Sequence, residues 1–146
     1  MKLYQRAGKQ MTHHLDFEKL LTYDIGELGI TVAVAIELKD KSESFDAKID
    51  TGADHCIFER KFGEHLGLDI EKGVPQRFGT ATGTFLAYGH DVTLRVADMN
   101  FDSMVFFAAE ESFTRNVLGR FGWLDRVVLG LVDYEGKLYL SRYGNE

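Results

Sequence analysis

Apolar and polar residues alternate along much of the chain, a pattern typical of β-strands with one buried face. The segments that alternate, or that form short runs rich in β-branched and aromatic residues, are 30–38, 45–49, 91–96 and 104–107. Turn-forming residues separate these segments at short intervals, as at 39–44 and 98–100. The pattern predicts an all-β fold, a small barrel or a sandwich.

Two further segments predict hairpins. Residues 127–140 contain two apolar strands around a tight turn at Glu135 and Gly136. Residues 74–88 contain two arms around a tip of small residues, which is typical of a mobile hairpin. The tip consists of Gly79, Thr80, Ala81, Thr82 and Gly83.

Helical patterns are short. Between Glu59 and Leu66, apolar residues recur at every fourth position, and Gly67 can end such a helix. A second short helix is predicted after Gly119. We therefore expect one or two short helices beside the strands.

The length of 146 residues fits one domain, because domains typically contain about 100 to 150 residues. The first 22 residues carry no firm pattern, although residues 11–17 alternate weakly, as in an edge strand. We predict an N-terminal extension at 1–22 and one domain at 23–146.

Composition narrows the possible functions. Hydrophobic residues make up 45% of the chain and charged residues 27%, as in globular proteins. The net charge of −6 and the lack of a Lys/Arg cluster argue against nucleic-acid binding. The single cysteine, Cys56, cannot form an intramolecular disulfide or a structural zinc cluster, which favours a reducing environment. No apolar segment approaches the roughly 20 residues that span a bilayer, so a cytoplasmic protein without a membrane partner is expected.

The tripeptide Asp50-Thr51-Gly52 directly follows the predicted strand 45–49. Taken alone, it is compatible with an ordinary polar turn, in which the aspartate accepts backbone N–H groups and the glycine takes a permissive conformation. About 65 residues later, Asn116-Val-Leu-Gly-Arg120 places two apolar residues and a glycine at the end of a strand. The predicted hairpin 74–88 lies between the two motifs.

This order of motifs resembles the retroviral-type aspartic proteases, the retropepsin-like family, which includes single-domain bacterial members. The resemblance covers roughly residues 30–140 and depends on Asp-Thr-Gly-Ala-Asp at 50–54, the hairpin, and Val-Leu-Gly-Arg at 117–120. It implies a small closed barrel of mostly antiparallel strands and a homodimer. It also implies an aspartic endopeptidase that hydrolyses an extended peptide without a metal or organic cofactor.

The sequence supports the dimer independently. Peptide hydrolysis by carboxylates needs two of them, one ionised to take a proton from water and one protonated to polarise the scissile carbonyl. The chain contains a single Asp-Thr-Gly and is about half the size needed for two such lobes. The second Asp50 must then come from another subunit across a twofold axis. Two carboxylates brought close together would share one proton.

The resemblance assigns roles to the residues around Asp50. Thr51 would hydrogen-bond across the dimer, and Gly52 would allow the substrate backbone to approach. Ala53 stands where pepsin-like relatives have a hydroxyl residue that donates to the carboxylate. Because alanine cannot donate, we expect a pH optimum nearer neutral than that of pepsin-like enzymes.

Further residues would bind the substrate or support the site. Asp54 and Arg120 match positions that pair with each other, the alternative being a surface ion pair of little energetic value. His55 and Arg115 depart from the retroviral pattern, and if both face the cleft they predict a preference for acidic or polar substrate side chains. The remaining residues with an implied role are Ile57, Val117 and the tip residues 79–83 in substrate binding, and Leu118 and Gly119 in support of the site.

Two other hypotheses remain open. A catalytically inactive dimer could serve as a peptide-binding or assembly module, although the intact acid, hydroxyl and glycine argue against it, because a close acid pair is electrostatically costly. A β-barrel without an active site would require three separate coincidences, namely the motif at 50–54, the hairpin and the motif at 117–120. Cys56 is interpreted as a buried strand residue, and the pairs at 13–14 (His-His) and 110–111 (Glu-Glu) as solvated residues rather than a metal site or an acid/base pair.

Overall fold

The computed structural model describes residues 11–144, which form ten strands and one short α-helix. The strands are β1 (Lys19–Thr22), β2 (Thr31–Leu38), β3 (Lys41–Ile49), β4 (Ile57–Phe58), β5 (Val74–Thr80), β6 (Gly83–Val96), β7 (Met99–Ala108), β8 (Val117–Leu118), β9 (Val127–Val132) and β10 (Lys137–Arg142). The helix α1 is Arg60–His65, and single 3-10 turns lie at Ile70–Lys72, Leu124–Arg126 and Asp133–Glu135.

Six strands close into a barrel. Strand β2 pairs with β3 on one side and with β6 on the other, so the order β2-β3-β8-β4-β7-β6 returns to its start. Strand β5 pairs only with β6 and forms the outer arm of a long hairpin. Pairing is antiparallel except between β3 and β8 and between β4 and β7, where two-residue parallel ladders form. The prediction of a small closed barrel is confirmed.

Strand alternation builds the core. The buried side chains of the two strands that close the barrel are Val32, Val34 and Ile36 from β2 and Val92, Leu94 and Val96 from β6. They pack in one cluster with Trp123, Leu138 and Leu140. Because each large apolar side chain stabilises the fold by about 1.5–3 kcal/mol when fully buried, this cluster fixes the register of the barrel.

Two predicted turns are shorter than expected. Leu38 pairs with Lys41, so the turn signal at 39–44 produces a turn of only two residues. The polar residues 42–44 instead continue β3, where they pair with β2. Likewise, the signal at 98–100 produces a turn at 97–98, and both residues have positive φ, as tight hairpins require.

The predicted helix and C-terminal hairpin agree with the structure. Helix α1 lies within the predicted 59–66, and Gly67 follows it with φ 86°. Strands β9 and β10 flank a 3-10 turn that ends at Gly136, whose φ is 65°. The short helix expected after Gly119 is the 3-10 turn at Leu124–Arg126.

The N-terminal segment differs from its prediction. Residues 11–17 form no strand, so the weak edge-strand signal there was wrong. The edge strand is β1, and it pairs with β10 to make a three-stranded sheet, β1-β10-β9. Phe17 just before it packs on Tyr139, with ring centroids 5.5 Å apart. The boundary after residue 22 stays a prediction. No helix among residues 11–144 is long and apolar enough to cross a membrane.

Cys56 is fully buried immediately before β4. Burial raises the pKa of its thiol to about 12, although a hydrogen bond from the Gly119 backbone lowers it, and the negative charge of Asp125 adds a smaller rise. The thiol therefore stays protonated at neutral pH, and a protonated thiol is a poor nucleophile. Cys56 is a core residue in this structure.

We predict that Ellman's reagent modifies Cys56 at least about 100-fold more slowly in the native protein than in guanidinium chloride, because the native thiol is both protonated and inaccessible. The rate of modification is measured at pH 8 from the aromatic thiol that the reagent releases. A Cys56→Ala protein carrying Ser42→Cys, at an exposed position of β3, is the control and should react fast without denaturant. Equally fast reaction of Cys56 in the native protein would contradict its burial.

Candidate active site

Asp50 lies where β3 ends and a tight turn begins. The backbone N–H of Gly52 donates to Asp50 Oδ1 at 2.9 Å, and the N–H of Ala53 donates to the Asp50 carbonyl at 3.1 Å. The Asp50 side chain is half-buried, whereas Thr51 and Gly52 are exposed. The turn therefore fixes the carboxylate and leaves the threonine at the surface.

Strand β8 supports the turn from behind. It runs parallel to the end of β3, with Ile49 opposite Leu118. The Asp50 N–H donates to the Leu118 carbonyl at 3.0 Å, and the Lys48 N–H donates to the Asn116 carbonyl at 2.9 Å. Leu118 is fully buried. The backbone on which Asp50 is mounted is therefore anchored in the core.

The chain after β8 crosses behind the Asp50 turn at very short range. The N–H of Arg120 donates to the Ala53 carbonyl at 2.9 Å, and the N–H of Phe121 donates to the Asp54 carbonyl at 2.7 Å. A Cβ atom on Gly119 would lie 2.8 Å from the Ala53 carbonyl oxygen and closer still to that of His55. Only glycine allows this approach, because both obstacles are backbone atoms.

A cleft of about 260 Å³ opens beside Asp50. Its lining residues are Asp50, Gly52, Ala53, Asp54, Ile57, Phe78, Gly79, Thr80, Phe85, Phe113, Arg115 and Val117. The structure thus brings together the aspartate, most of the residues to which the sequence gave a substrate-binding role, and the base of the β5–β6 hairpin. The rest of the predicted tip, residues 81–83, is exposed and lies outside this lining.

The residues that line this cleft do not include His55, so the condition for its predicted effect on substrate preference is not met within the protomer, and its role in substrate binding stays a prediction. Its ring packs among three phenylalanines, with centroid distances of 5.6 Å to Phe78, 4.9 Å to Phe106 and 5.4 Å to Phe121. Its Nδ1 atom is buried and has no hydrogen-bond partner among residues 11–144. The reason is local: a backbone bridge to Phe121 turns the side chain toward the base of the hairpin.

The side chains of Asp54 and Arg120 are also not paired. The ion pairs among residues 11–144 do not include them, and the Arg120 guanidinium instead lies 5.5 Å from the centre of the Phe121 ring. Both residues are exposed, where an ion pair contributes only about 0–1 kcal/mol. In place of the expected side-chain pair, the backbone hydrogen bonds at 53–54 and 120–121 connect the two segments.

An aromatic wall was missed by the sequence analysis. Phe78 and Phe85 face each other across the hairpin with centroids 5.5 Å apart, and Phe113 lies 4.8 Å from Phe85. They pack on a second apolar cluster that contains Ile57 and Phe106. The pairing of Phe78 with Phe85 could have been deduced from their equal distance from the hairpin tip. Phe113 lies in a loop whose sequence carries no such signal.

The chemistry available in the cleft is that of carboxylates. The cleft contains one aspartate held by a strand end, and the second acid in its lining, Asp54, is an exposed loop residue. Within residues 11–144, no group of three or more His, Cys, Asp or Glu side chains is arranged to hold a metal ion. One fixed carboxylate in an open cleft can accept or donate a proton.

Comparisons with known proteins agree with this geometry. A family model described as aspartyl protease matches residues 33–130, which include both the Asp50 turn and the 117–120 crossing. Among solved structures, the chain is similar to EIAV protease complexed with the inhibitor HBY-793, with a TM-score of 0.53 and 20% identity over 68% of this chain and 88% of that one. No curated protein matches the sequence.

We predict that Gly119→Ala lowers the free energy of unfolding by roughly 2 kcal/mol or more, because a Cβ atom there would overlap backbone atoms that cannot move aside. Urea unfolding followed by Trp123 fluorescence measures the change. The matched control is Gly79→Ala, since a Cβ at Gly79 meets no atom within 4 Å and should change stability by less than about 0.5 kcal/mol. Equal stability of the two variants would contradict the tight crossing.

Proposed function

The chain belongs to the aspartyl protease family, and we propose that it is an endopeptidase whose active site is completed by a second copy of the chain. The proposal depends on one observation, the way in which hydrogen bonds hold Asp50 at the edge of the cleft. Its carboxylate is fixed by the Gly52 N–H and by a backbone bond to β8, yet it opens onto a cleft that holds no second fixed acid. A twofold axis beside the turn would supply that acid.

In the proposed reaction, a water molecule lies between the two Asp50 carboxylates. The ionised carboxylate takes a proton from the water while the water oxygen attacks the peptide carbonyl. The protonated carboxylate donates a hydrogen bond to the oxygen of that carbonyl. Collapse of the tetrahedral intermediate breaks the C–N bond and transfers a proton to the leaving amine. The short contact of Gly52 with Asp50 Oδ1 holds the carboxylate in place.

The exposure of Thr51 supports the dimer. A threonine hydroxyl beside the acid has no structural role within the protomer, where Thr51 is exposed and makes no side-chain hydrogen bond among residues 11–144. We infer that it hydrogen-bonds to the partner subunit and keeps the two Asp50 turns level. The two carboxylates could then approach within reach of one water molecule.

The β5–β6 hairpin would cover the bound peptide. The cleft is lined by Phe78, Gly79 and Thr80 of this hairpin. The exposed part of the tip, residues 81–83, hydrogen-bonds within residues 11–144 only to Thr80, whose hydroxyl donates to the Gly83 carbonyl at 3.1 Å. A tip without contacts to the rest of the protomer is free to close over a substrate and to exclude bulk water. The similar EIAV protease was solved with an inhibitor.

The alternative of an inactive peptide-binding module is less well supported. A module that only binds a peptide gains nothing from two carboxylates at close range, since their repulsion opposes dimer formation. Nor does it need a backbone crossing that fixes the acid to its strand. The intact Asp50, Thr51 and Gly52 therefore favour the enzyme.

We predict that Asp50→Asn reduces the rate at which a mixture of peptides is cleaved by at least about 100-fold across pH 3 to 8. The reason is that an amide can neither take the proton from water nor give one to the leaving amine. Mass spectrometry of the products measures the loss. Asp91→Asn, at an exposed carboxylate on β6 that does not line the cleft, is the matched control and should retain activity. Cleavage that survives Asp50→Asn would refute the mechanism.

A mixing experiment tests whether both Asp50 residues act in one site. When wild-type and Asp50→Asn proteins are unfolded together and refolded in equal amounts, random pairing should lower the activity per wild-type chain to about half, since half of these chains acquire an inactive partner. The control is the same mixture with Asp91→Asn, which should lose nothing. Unchanged activity per wild-type chain, or an active monomer by light scattering, would show that one chain suffices.

A further inference from the structure

We propose that a second cavity, next to the aromatic cleft lined by Phe78, Phe85 and Phe113, binds an acidic side chain of the substrate. In the bound peptide, this acidic residue lies two positions from the residue whose side chain occupies the aromatic cleft. The inference rests on the proposed function, because it assigns specificity to the same site. It names the substrate class: peptides with an aromatic or large aliphatic residue beside the cleaved bond and Asp or Glu two residues farther from it.

The second cavity adjoins the first. It has a volume of about 250 Å³ and is lined by Thr31, Asp46, Lys48, Thr114, Arg115, Asn116 and Val117. Arg115 and Val117 line both cavities, so the two cavities are neighbours along this edge of the cleft. A peptide whose side chain enters the aromatic cleft therefore passes directly beside the second cavity.

The charges of the second cavity favour an anion. Lys48 and Arg115 contribute two positive charges and Asp46 one negative charge, which leaves a net charge of +1. Neither cation belongs to an ion pair within residues 11–144. Two cations that belong to no ion pair within residues 11–144 therefore line one cavity of a protein whose net charge is −6. Together they form a local site for a carboxylate.

Both cations are mounted on fixed backbone. Lys48 lies two residues before Asp50, its N–H is bound to the Asn116 carbonyl, and its side-chain stem packs against Gly29, where a Cβ would lie 2.9 Å from Lys48 Cε. Arg115 precedes that same Asn116, whose side chain hydrogen-bonds to Glu59. The two stems therefore start from neighbouring backbone segments, the end of β3 and the loop before β8, that are hydrogen-bonded to each other through Lys48 and Asn116, which reduces the entropy lost when they hold a ligand.

An extended peptide can engage both cavities, because they share Arg115 and Val117 as lining residues. Alternate side chains of a strand point to the same face and lie about 6.5–7 Å apart. A side chain seated on Phe78, Phe85 and Phe113 consequently directs the side chain two positions away toward Arg115 and Lys48. Because the dimer is symmetric, each protomer offers one pair of cavities, and the preferred motif repeats in reverse on the other side of the cleaved bond.

Peptide binding to the Asp50→Asn protein tests the inference without catalysis. Two fluorescent peptides are compared that share a Phe-Phe centre and differ only in having Glu or Gln two residues outside each Phe. We expect the Glu peptide to bind at least about fivefold more tightly in fluorescence anisotropy, and the difference to shrink as ionic strength rises. Arg115→Met and Lys48→Met should each reduce the preference, and Arg115→Glu should reverse it in favour of a Lys peptide.

Lys41→Met is the matched control, because Lys41 is an exposed lysine at the other end of β3 and lines neither cavity. It should leave the preference unchanged. Equal binding of the Glu and Gln peptides, or a preference that survives Lys48→Met combined with Arg115→Met, overturns the inference. A wild-type protein that binds the Glu peptide preferentially but never cleaves it would overturn the proposed function instead and leave the carboxylate site standing.

Discussion

The crossing of the 117–121 segment behind the Asp50 turn is the contact on which the rest of the site depends. Backbone hydrogen bonds connect residues 48–54 with residues 116–121 along the whole crossing, and a Cβ atom on Gly119 would overlap the carbonyl oxygens of Ala53 and His55. The acid is thus positioned by backbone atoms that are themselves anchored in the barrel core. A carboxylate held this way keeps its geometry without any side-chain partner among residues 11–144: Oδ1 accepts the Gly52 N–H, and neither oxygen is bound to another side chain.

This arrangement also explains which features the sequence could predict. Alternation predicted the strands because each barrel strand has one buried face, and the resemblance carried by the motifs at 50–54 and 117–120 predicted the closed barrel. The turn at 39–44 was overestimated because Ser42, Glu43 and Ser44 are polar yet belong to a strand: hydrogen bonding to β2 depends on register and not on side-chain polarity. Strand β1 was missed because its pairing with β10 joins residues more than a hundred positions apart.

Side-chain direction was the least predictable property of the site. His55 lies five residues after Asp50 in sequence, but its ring packs in an aromatic cluster and not in the cleft. A single backbone bridge connects it to Phe121, whose ring is part of that cluster. Asp54 and Arg120 lie on adjacent segments, but exposed charges gain too little from pairing to fix their rotamers. Phe113 became part of the cleft because the loop before β8 folds back on the hairpin, a tertiary contact without any local pattern.

The aromatic residues connect substrate recognition to the motion of the hairpin. Phe78 contacts His55 and Phe106 at the base and Phe85 across the hairpin, so the root of the hairpin packs on the second apolar cluster and on His55, whose ring in turn packs on Phe121 of the crossing segment. The exposed part of the tip, residues 81–83, has no comparable contacts within the described part of the chain: a Cβ atom at Gly83 would meet nothing within 4 Å. Closure can then be confined to the tip, while the pocket wall that selects the substrate stays in place. A peptide would meet a preformed aromatic wall first and a mobile cover second, so that selection precedes the exclusion of water from the two acids.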